Sequence, residues 1–156
     1  MPVTCSHASG DAFPAGSTTV TCSARDGRTP ANVATMSFQI HVTYDGTGFF
    51  RPIDNLPVVN TVKAGSAVPV KFSLGGDQGL DILASGYPRS GTINCTASNQ
   101  DEITETVTAG QSSLTYDMSA GQYVYVWKTE RTWSGCRVLQ LKLRDGRSYY
   151  ATFQFR

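Results

Sequence analysis

Four cysteines carry the clearest chemistry in this chain of 156 residues, and two lie in each half: Cys5 and Cys22, then Cys95 and Cys136. The Cys-x-x-Cys spacing of many structural zinc sites is absent, which favours disulfides over metal ligation. Four cysteines allow three pairings. Cys5–Cys22 with Cys95–Cys136 is the pairing compatible with two separate modules, and four reduced thiols are the alternative. Disulfides would indicate an oxidising, extracellular compartment, and each would add about 3–4 kcal/mol of stability.

Two histidines and a group of acids are the candidates for catalysis. His7 lies in a serine-rich turn, and His41 falls on the polar face of a predicted strand. A Ser-His-Asp triad needs a nucleophile, a base and a group that orients the base, and no Gly-x-Ser-x-Gly element is present. Glycosidases place two carboxylates across a cleft, whereas Asp101, Glu102 and Glu105 lie on one short segment. The sequence therefore predicts no catalytic residue and a protein that is not an enzyme.

Aspartates in predicted turns are the candidate metal ligands, because calcium binds carboxylate and carbonyl oxygens. Asp77 and Asp81 are the first acids to consider. No Asp-x-Asp-x-Asp spacing is present, and Asx-turns explain the same residues. We therefore expect no cofactor, with a structural calcium ion as the open alternative.

Aromatic side chains alternate with valines in one segment, so that Tyr123, Tyr125 and Trp127 share one face of a predicted strand. Buried, they would belong to a core or an interface. Exposed in a row and joined by Trp133, they would form a flat platform for a carbohydrate. Burial is the favoured interpretation, and the carbohydrate platform is the alternative.

Composition disfavours two further kinds of partner. The formal net charge is +1, with charged residues at 16% of the chain, whereas nucleic-acid binding depends on a basic surface. No apolar run approaches the ~18 residues of a membrane-spanning helix. The start of the chain lacks the basic and apolar segments of a signal peptide. We therefore expect a mature fragment of a secreted protein, beginning within folded material.

Period-two alternation of apolar and polar residues recurs along the chain and predicts an all-β fold. Strands are expected at 17–24, 36–43, 58–62, 67–74, 92–97, 103–107, 113–116, 122–127, 138–143 and 148–155. One helical turn is expected at 79–85, and a two-residue turn at Asp145-Gly146 joins the last two strands. A break at 44–48 predicts a boundary between modules at 1–43 and 44–156.

Three sequence elements in the first module are typical of one extracellular family: PVTCS at 2–6, Ser9-Gly10 and FPAGSTTVTC at 13–22. With Asp26, they resemble the C-terminal half of a hyalin repeat, an immunoglobulin-like module associated with adhesion. The sequence departs from the family at Met36, where a further cysteine is common, and the family's opening strands have no counterpart. The resemblance implies a partial immunoglobulin-like module.

The second module carries PVKF at 69–72, supported by GFF at 48–50, NTVKAGSA at 60–67 and YVWKT at 125–129. These elements resemble a bacterial secreted domain named for its Pro-x-Lys-Phe (PxKF) motif. The resemblance implies a bacterial extracellular protein and no particular activity. Alternation places Val70 and Phe72 in the core and leaves Lys71 exposed, and Pro69 indicates a sheet edge or a strand start.

One apolar face of the first module is the predicted interaction surface, formed by Val20, Met36, Phe38, Ile40 and Val42. A complete immunoglobulin-like module has about seven strands, and this one offers about three. The face would then be exposed, which marks an interaction site. The expected partner is an upstream domain, a second copy or another protein that supplies strands.

We therefore expect an all-β, disulfide-stapled protein with a partial immunoglobulin-like module followed by a β-sandwich. The expected function is that of a non-catalytic structural or adhesion module outside a bacterial cell, as the C-terminal tail of a larger secreted or cell-surface protein. The alternative is a carbohydrate-binding module attached to an exported hydrolase.

Overall fold

The chain divides into two compact units, Met1–Thr43 and Tyr44–Arg156. The computed structural model describes residues 2–96 and 114–156. These residues form eleven strands and no helix, which confirms the all-β class. Within the same residues, nothing forms a helix of the length and apolar character needed to cross a membrane.

The first unit is a three-stranded antiparallel sheet of β1 (Val3–Cys5), β2 (Gly16–Arg25) and β3 (Val33–Val42), with β2 in the centre. β2 and β3 pair along their whole lengths. β1 places Cys5 directly opposite Cys22, and a disulfide joins these two residues. The two predicted strands are present, and β1 is an addition that alternation over three residues could not reveal.

The second unit contains two four-stranded sheets. Its strands are β4 (Phe49–Phe50), β5 (Val59–Val62), β6 (Ala67–Phe72), β7 (Arg89–Ile93), β8 (Leu114–Asp117), β9 (Gln122–Lys128), β10 (Gly135–Lys142) and β11 (Ser148–Phe155). One sheet has the order β5-β11-β10-β7 and the other β4-β6-β9-β8. β5 runs parallel to β11, and the other pairs are antiparallel. Buried residues of both sheets form one core, as in a β-sandwich.

Aromatic rings fill much of this core. The Trp127 ring lies 5.1 Å from Phe153 and 5.9 Å from Phe155, measured between ring centroids. Phe72 stacks on Tyr123 at 5.4 Å. Offset and edge-to-face ring pairs of this kind are favourable beyond their buried area. The core therefore joins β6 and β9 of one sheet to β11 of the other.

The Pro-Val-Lys-Phe strand has the predicted alternation with one difference. Val70 and Phe72 are buried, as expected. Lys71 is half-buried rather than exposed, because it lies between Phe50 of β4 and Val124 of β9. A neighbour on each side covers part of its aliphatic stem.

The hairpin between β10 and β11 is closed by a longer turn than predicted. The N–H of Leu143 donates to the carbonyl of Arg147 at 2.9 Å, and the N–H of Gly146 donates to Leu143 at 3.0 Å. The loop therefore has three residues, 144–146, and ends on Gly146 with φ of +91°. Glycine suits this left-handed position in three-residue hairpin loops.

Asp145 of this loop is buried and ties the start of the second unit to the hairpin. Its carboxylate accepts hydrogen bonds from the N–H of Tyr44 at 2.9 Å and from the N–H of Arg147 at 3.0 Å. The Arg147 guanidinium is paired with it at 2.9 Å. Burial alone would raise the pKa of Asp145, but these N–H donors and the guanidinium hold the pKa below its usual value.

The expected helical turn at 79–85 is wrong. These residues form no helix: Leu83 forms a bridge with Leu143, and Ile82 is fully buried. Upstream, the Tyr123 hydroxyl accepts a hydrogen bond from the N–H of Gln78 at 2.6 Å and donates to the carbonyl of Gly79 at 2.9 Å. Tertiary contacts thus override a weak local tendency that could not nucleate a helix.

The second disulfide joins Cys95 to Cys136, with 5.1 Å between their Cα atoms. With Cys5–Cys22, it confirms the predicted pairing, and the described residues contain no free cysteine. β7 begins three residues before the strand expected at 92–97. The strand expected at 103–107, together with Asp101, Glu102 and Glu105, lies outside the described residues.

A pair of neighbouring substitutions tests the alternation of β6. Phe72→Ala should destabilise the protein by about 3–5 kcal/mol, because it removes a fully buried ring. Lys71→Ala should cost no more than about 1 kcal/mol, since only the stem of the lysine is covered. Urea unfolding of both variants measures the two values. The reverse ranking would show that the inward face of β6 is assigned wrongly.

The buried carboxylate of Asp145 predicts a defined acid dependence. Its folded-state pKa is lower than its unfolded pKa, so the stability it contributes is complete above about pH 3.9 and is lost as the pH falls through the folded value. Asp145→Asn should cost about 1–3 kcal/mol at pH 7, because buried donors lose a charged acceptor. Urea titrations at several pH values should show this difference narrowing below about pH 4.

Asp81→Asn is the matched control for this experiment. Asp81 also pairs with an arginine, Arg144 at 2.8 Å, but its side chain is 79% exposed. An exposed ion pair contributes little, so this variant should lose less than about 1 kcal/mol. An Asp145→Asn difference that stays the same down to pH 2 would contradict the assignment.

Candidate functional site

The apolar face of the three-stranded sheet is the candidate site. The register places Val20 opposite Phe38 and Cys22 opposite Met36. Directly opposed residues of paired strands lie on the same face. We call this the N-terminal apolar face; its members are Val3, Cys5, Val20, Cys22, Ala24, Ala34, Met36, Phe38, Ile40 and Val42.

Exposure is unevenly distributed over this face. Met36 is 73% exposed, Val3 65% and Phe38 50%. Val20 is only 3% exposed, so its prediction as part of an accessible surface is wrong. It lies opposite Phe38 of β3, whereas β1 pairs with residues 22–24 of β2. Ile40 and Val42 are half-buried, which leaves Met36 and Phe38 as the most accessible of the five predicted residues.

Val3 is the member of the accessible group that sequence reasoning missed. It stands two residues before Cys5 and opposite Ala24 on β2. Once Cys5 is paired with Cys22, alternation places Val3 on the same face. The disulfide was therefore the signal that could have identified it.

The outer edge of β3 is a second feature of the site. Among the described residues, β3 pairs with β2 alone, which leaves a ten-residue edge strand. Its sequence, VATMSFQIHV, contains no proline, glycine, lysine or acid. Natural edge strands usually carry such residues, which hinder pairing with other chains. The edge of β3 therefore carries no residue that would hinder pairing with another strand.

Ser17 and His41 form a cross-strand pair that the sequence did not predict. The Ser17 hydroxyl oxygen lies 3.1 Å from Nδ1 and 3.0 Å from Nε2 of His41. An oxygen almost equidistant from both nitrogens lies out of the ring plane and along neither lone pair, because an in-plane position between them would clash with Cε1. In the part of the chain that the structure describes, no carboxylate is hydrogen-bonded to His41. The pair therefore lacks the geometry that activates a serine.

The aromatic residues do not form a surface platform. Tyr123, Tyr125 and Trp127 are buried in the core of the second unit. Trp133 is half-buried: its ring lies 5.8 Å from Trp127, and the Arg137 guanidinium lies 4.0 Å over it. The carbohydrate-platform interpretation is wrong in this structure, because the partner sheet covers the face that Tyr123, Tyr125 and Trp127 share, and Trp133 packs against the same core.

The aspartates considered for calcium are engaged in other contacts. Asp77 accepts hydrogen bonds from the N–H of Gly79 at 2.9 Å and from the Tyr123 hydroxyl at 3.3 Å. Asp81 pairs with Arg144 at 2.8 Å. In residues 2–96 and 114–156, no three histidine, cysteine or acidic side chains come together as a metal site would require.

No known family model and no curated protein matches this chain. The resemblances to a hyalin repeat and to the PxKF domain thus stay predictions. Evidence on function therefore rests on the N-terminal apolar face and on the unprotected edge of β3.

Proposed function

We propose that this protein is a non-catalytic extracellular structural or adhesion module whose first unit binds β-strands from outside this chain. One observation supports the proposal above all: a ten-residue edge strand free of charge and proline carries Met36 and Phe38, which are 73% and 50% exposed. The strand offers unpaired backbone groups, and the face beside it offers apolar contacts. Strand addition uses both.

The energetics of this association are those of sheet extension. Fully burying a methionine or phenylalanine contributes about 1.5–3 kcal/mol. Met36 and Phe38 would thus gain at most on the order of 1–2 kcal/mol each, when side chains of the added strand cover their exposed parts. Backbone hydrogen bonds along β3 would fix the register of the added strand.

Compartment and context support the same function. The two disulfides are compatible with an extracellular location. The resemblances to a hyalin repeat and to a bacterial PxKF domain favour the tail of a larger secreted or cell-surface bacterial protein. No observation in the described residues favours the alternative of a carbohydrate-binding module.

The added strand can come from a second copy of this chain or from another protein region, since both supply the same backbone chemistry. We expect Phe38→Lys to remove the association, because it places a charge on the accessible face. Thr19→Lys is the matched control: it adds the same charge on the central strand β2, where Thr19 is exposed on the opposite face and away from the edge of β3.

Light scattering coupled to size-exclusion chromatography, over a range of concentrations, tests this prediction. A mass that doubles with concentration in the Thr19→Lys variant and not in Phe38→Lys identifies a second copy as the source. A monomer that binds an apolar dye, with dye binding lost in Phe38→Lys alone, identifies a face open to another protein region. A strict monomer at high micromolar concentration with no dye binding would refute the proposal.

A further inference from the structure

A cleft in the second unit combines a cavity with the free edge of a strand. The cavity has a volume of about 390 Å³ and lies between β5 of one sheet and β6 of the other. This volume falls in the range of roughly 300–1,000 Å³ that is usual for ligand sites. Its floor is apolar and comprises Ile53, Val68 and Phe153, which are buried.

The backbone of β5 has unused hydrogen-bonding capacity on the side away from β11. The carbonyl of Val62 accepts from the N–H of Arg156 at 3.1 Å, so Val62 faces β11. Backbone groups alternate in direction along a strand, which turns Val59 and Thr61 toward the open side. Among the described residues, no group is hydrogen-bonded to the backbone N–H or carbonyl of either residue, and no strand pairs with β5 on that side.

The facing edge of β6 is blocked by a proline. The carbonyl of Ser66 accepts from the N–H of Thr129 at 3.2 Å, beside β9. By the same alternation, the backbone of Pro69 faces the side of β6 away from β9. β4 pairs with Lys71 and Phe72 on that side and leaves Pro69 uncovered. Proline has no N–H to donate, so β6 is a poor template there. An incoming strand would pair with β5.

The cleft is pre-formed by the side chain of Asn60. Its amide nitrogen donates to the carbonyl of Asp54 at 2.9 Å and to the carbonyl of Thr152 at 3.2 Å. Its amide oxygen accepts from the N–H of Asp54 at 2.8 Å. Asn60 therefore holds the 52–54 segment against β5 and β11. Asp54 and Lys63, both exposed, place opposite charges among the residues that line the cavity.

We propose that the cleft between β5 and β6 binds an extended peptide, which adds to the free edge of β5 and places alternate side chains in the cavity. The peptide is recognised through backbone pairing with Val59 and Thr61 and through contact with the apolar floor. Asp54 and Lys63 favour a peptide with a cationic and an anionic residue at its two ends. This site is separate from the proposed association through β3.

The probe is a capped heptapeptide of alternating valine and threonine, with lysine at one end and glutamate at the other, made in both orders. We expect saturable binding of at least one order to the full chain, measured by fluorescence anisotropy. In NMR spectra of the labelled full chain, the amides of Val59 and Thr61 should shift, and hydrogen exchange at the Thr61 amide should slow at least tenfold.

Thr61→Pro removes the outward N–H, and Thr61→Ala is the matched control that retains it. Proline is tolerated at a solvent-facing position of an edge strand. We expect Thr61→Pro to weaken binding at least tenfold and Thr61→Ala to change it by less than threefold. A peptide N-methylated at every second residue, in either phase, tests the same hydrogen bonds without altering the protein; one phase should bind at least tenfold more weakly. That measurement decides the question if Thr61→Pro does not fold.

Three results would overturn the inference. The first is that neither order of the peptide binds at millimolar concentration. The second is that the N-methylated peptides bind as tightly as the parent peptide. The third is that chito- or cello-oligosaccharides shift the Val59 and Thr61 amides and the peptides do not. The Phe38→Lys variant should bind the peptide unchanged, so failure here and failure of the association through β3 are distinguishable.

Discussion

Coverage of the apolar face of each sheet is the constraint on which this structure depends. In the second unit, two sheets cover each other, and rings from both meet in one core, with Trp127 5.1 Å from Phe153. In the first unit, the described residues form a single sheet. The same alternation that buries Phe72 in the second unit leaves Met36 73% exposed in the first. One physical rule thus produces a closed core in one unit and an open face in the other.

The backbone edges of the two sheets differ in the same way as their apolar faces. Pro69 removes a donor from the open part of β6, and β4 covers the end of that strand. β3 has neither protection over its ten residues, and an unprotected edge can pair with other chains. The proposed association through β3 rests on this combination of an unprotected edge and an exposed apolar face.

The sequence predicted the long strands well because their two faces have different surroundings. Alternation identified β2, β3, β6, β9, β10 and β11, and the residues on each face followed from it. It could not identify β1 or β4, which have three and two residues, too few for a period to show. The helical turn at 79–85 was wrong because the burial of Ile82 and the bridge from Leu83 to Leu143 are tertiary effects.

The candidate sites likewise depend on contacts between distant segments, which alternation along one strand does not reveal. Period two predicted which residues of β2 and β3 lie on the N-terminal apolar face. It did not predict that Val3 belongs to this face, which depends on the Cys5–Cys22 pairing, or how exposed each member is. Val20 is buried, whereas Cys22 and Ala24 on the same face of the same strand are half-buried, and alternation along one strand does not contain this difference. The β5–β6 cleft had no local signal either, since it depends on the parallel pairing of β5 with β11, about ninety residues later in the chain.

The two edges of the first sheet differ in length and in how firmly they are held. β1 has three residues and is joined covalently to the central strand, so its edge is short and fixed in place. β3 has ten residues and a continuous unpaired edge in the described part of the chain. An added strand gains more hydrogen bonds along β3 than along β1, because the number of ladder bonds grows with length. The proposed association would therefore extend the sheet on the side that carries Met36 and Phe38, where backbone pairing and apolar burial would reinforce each other.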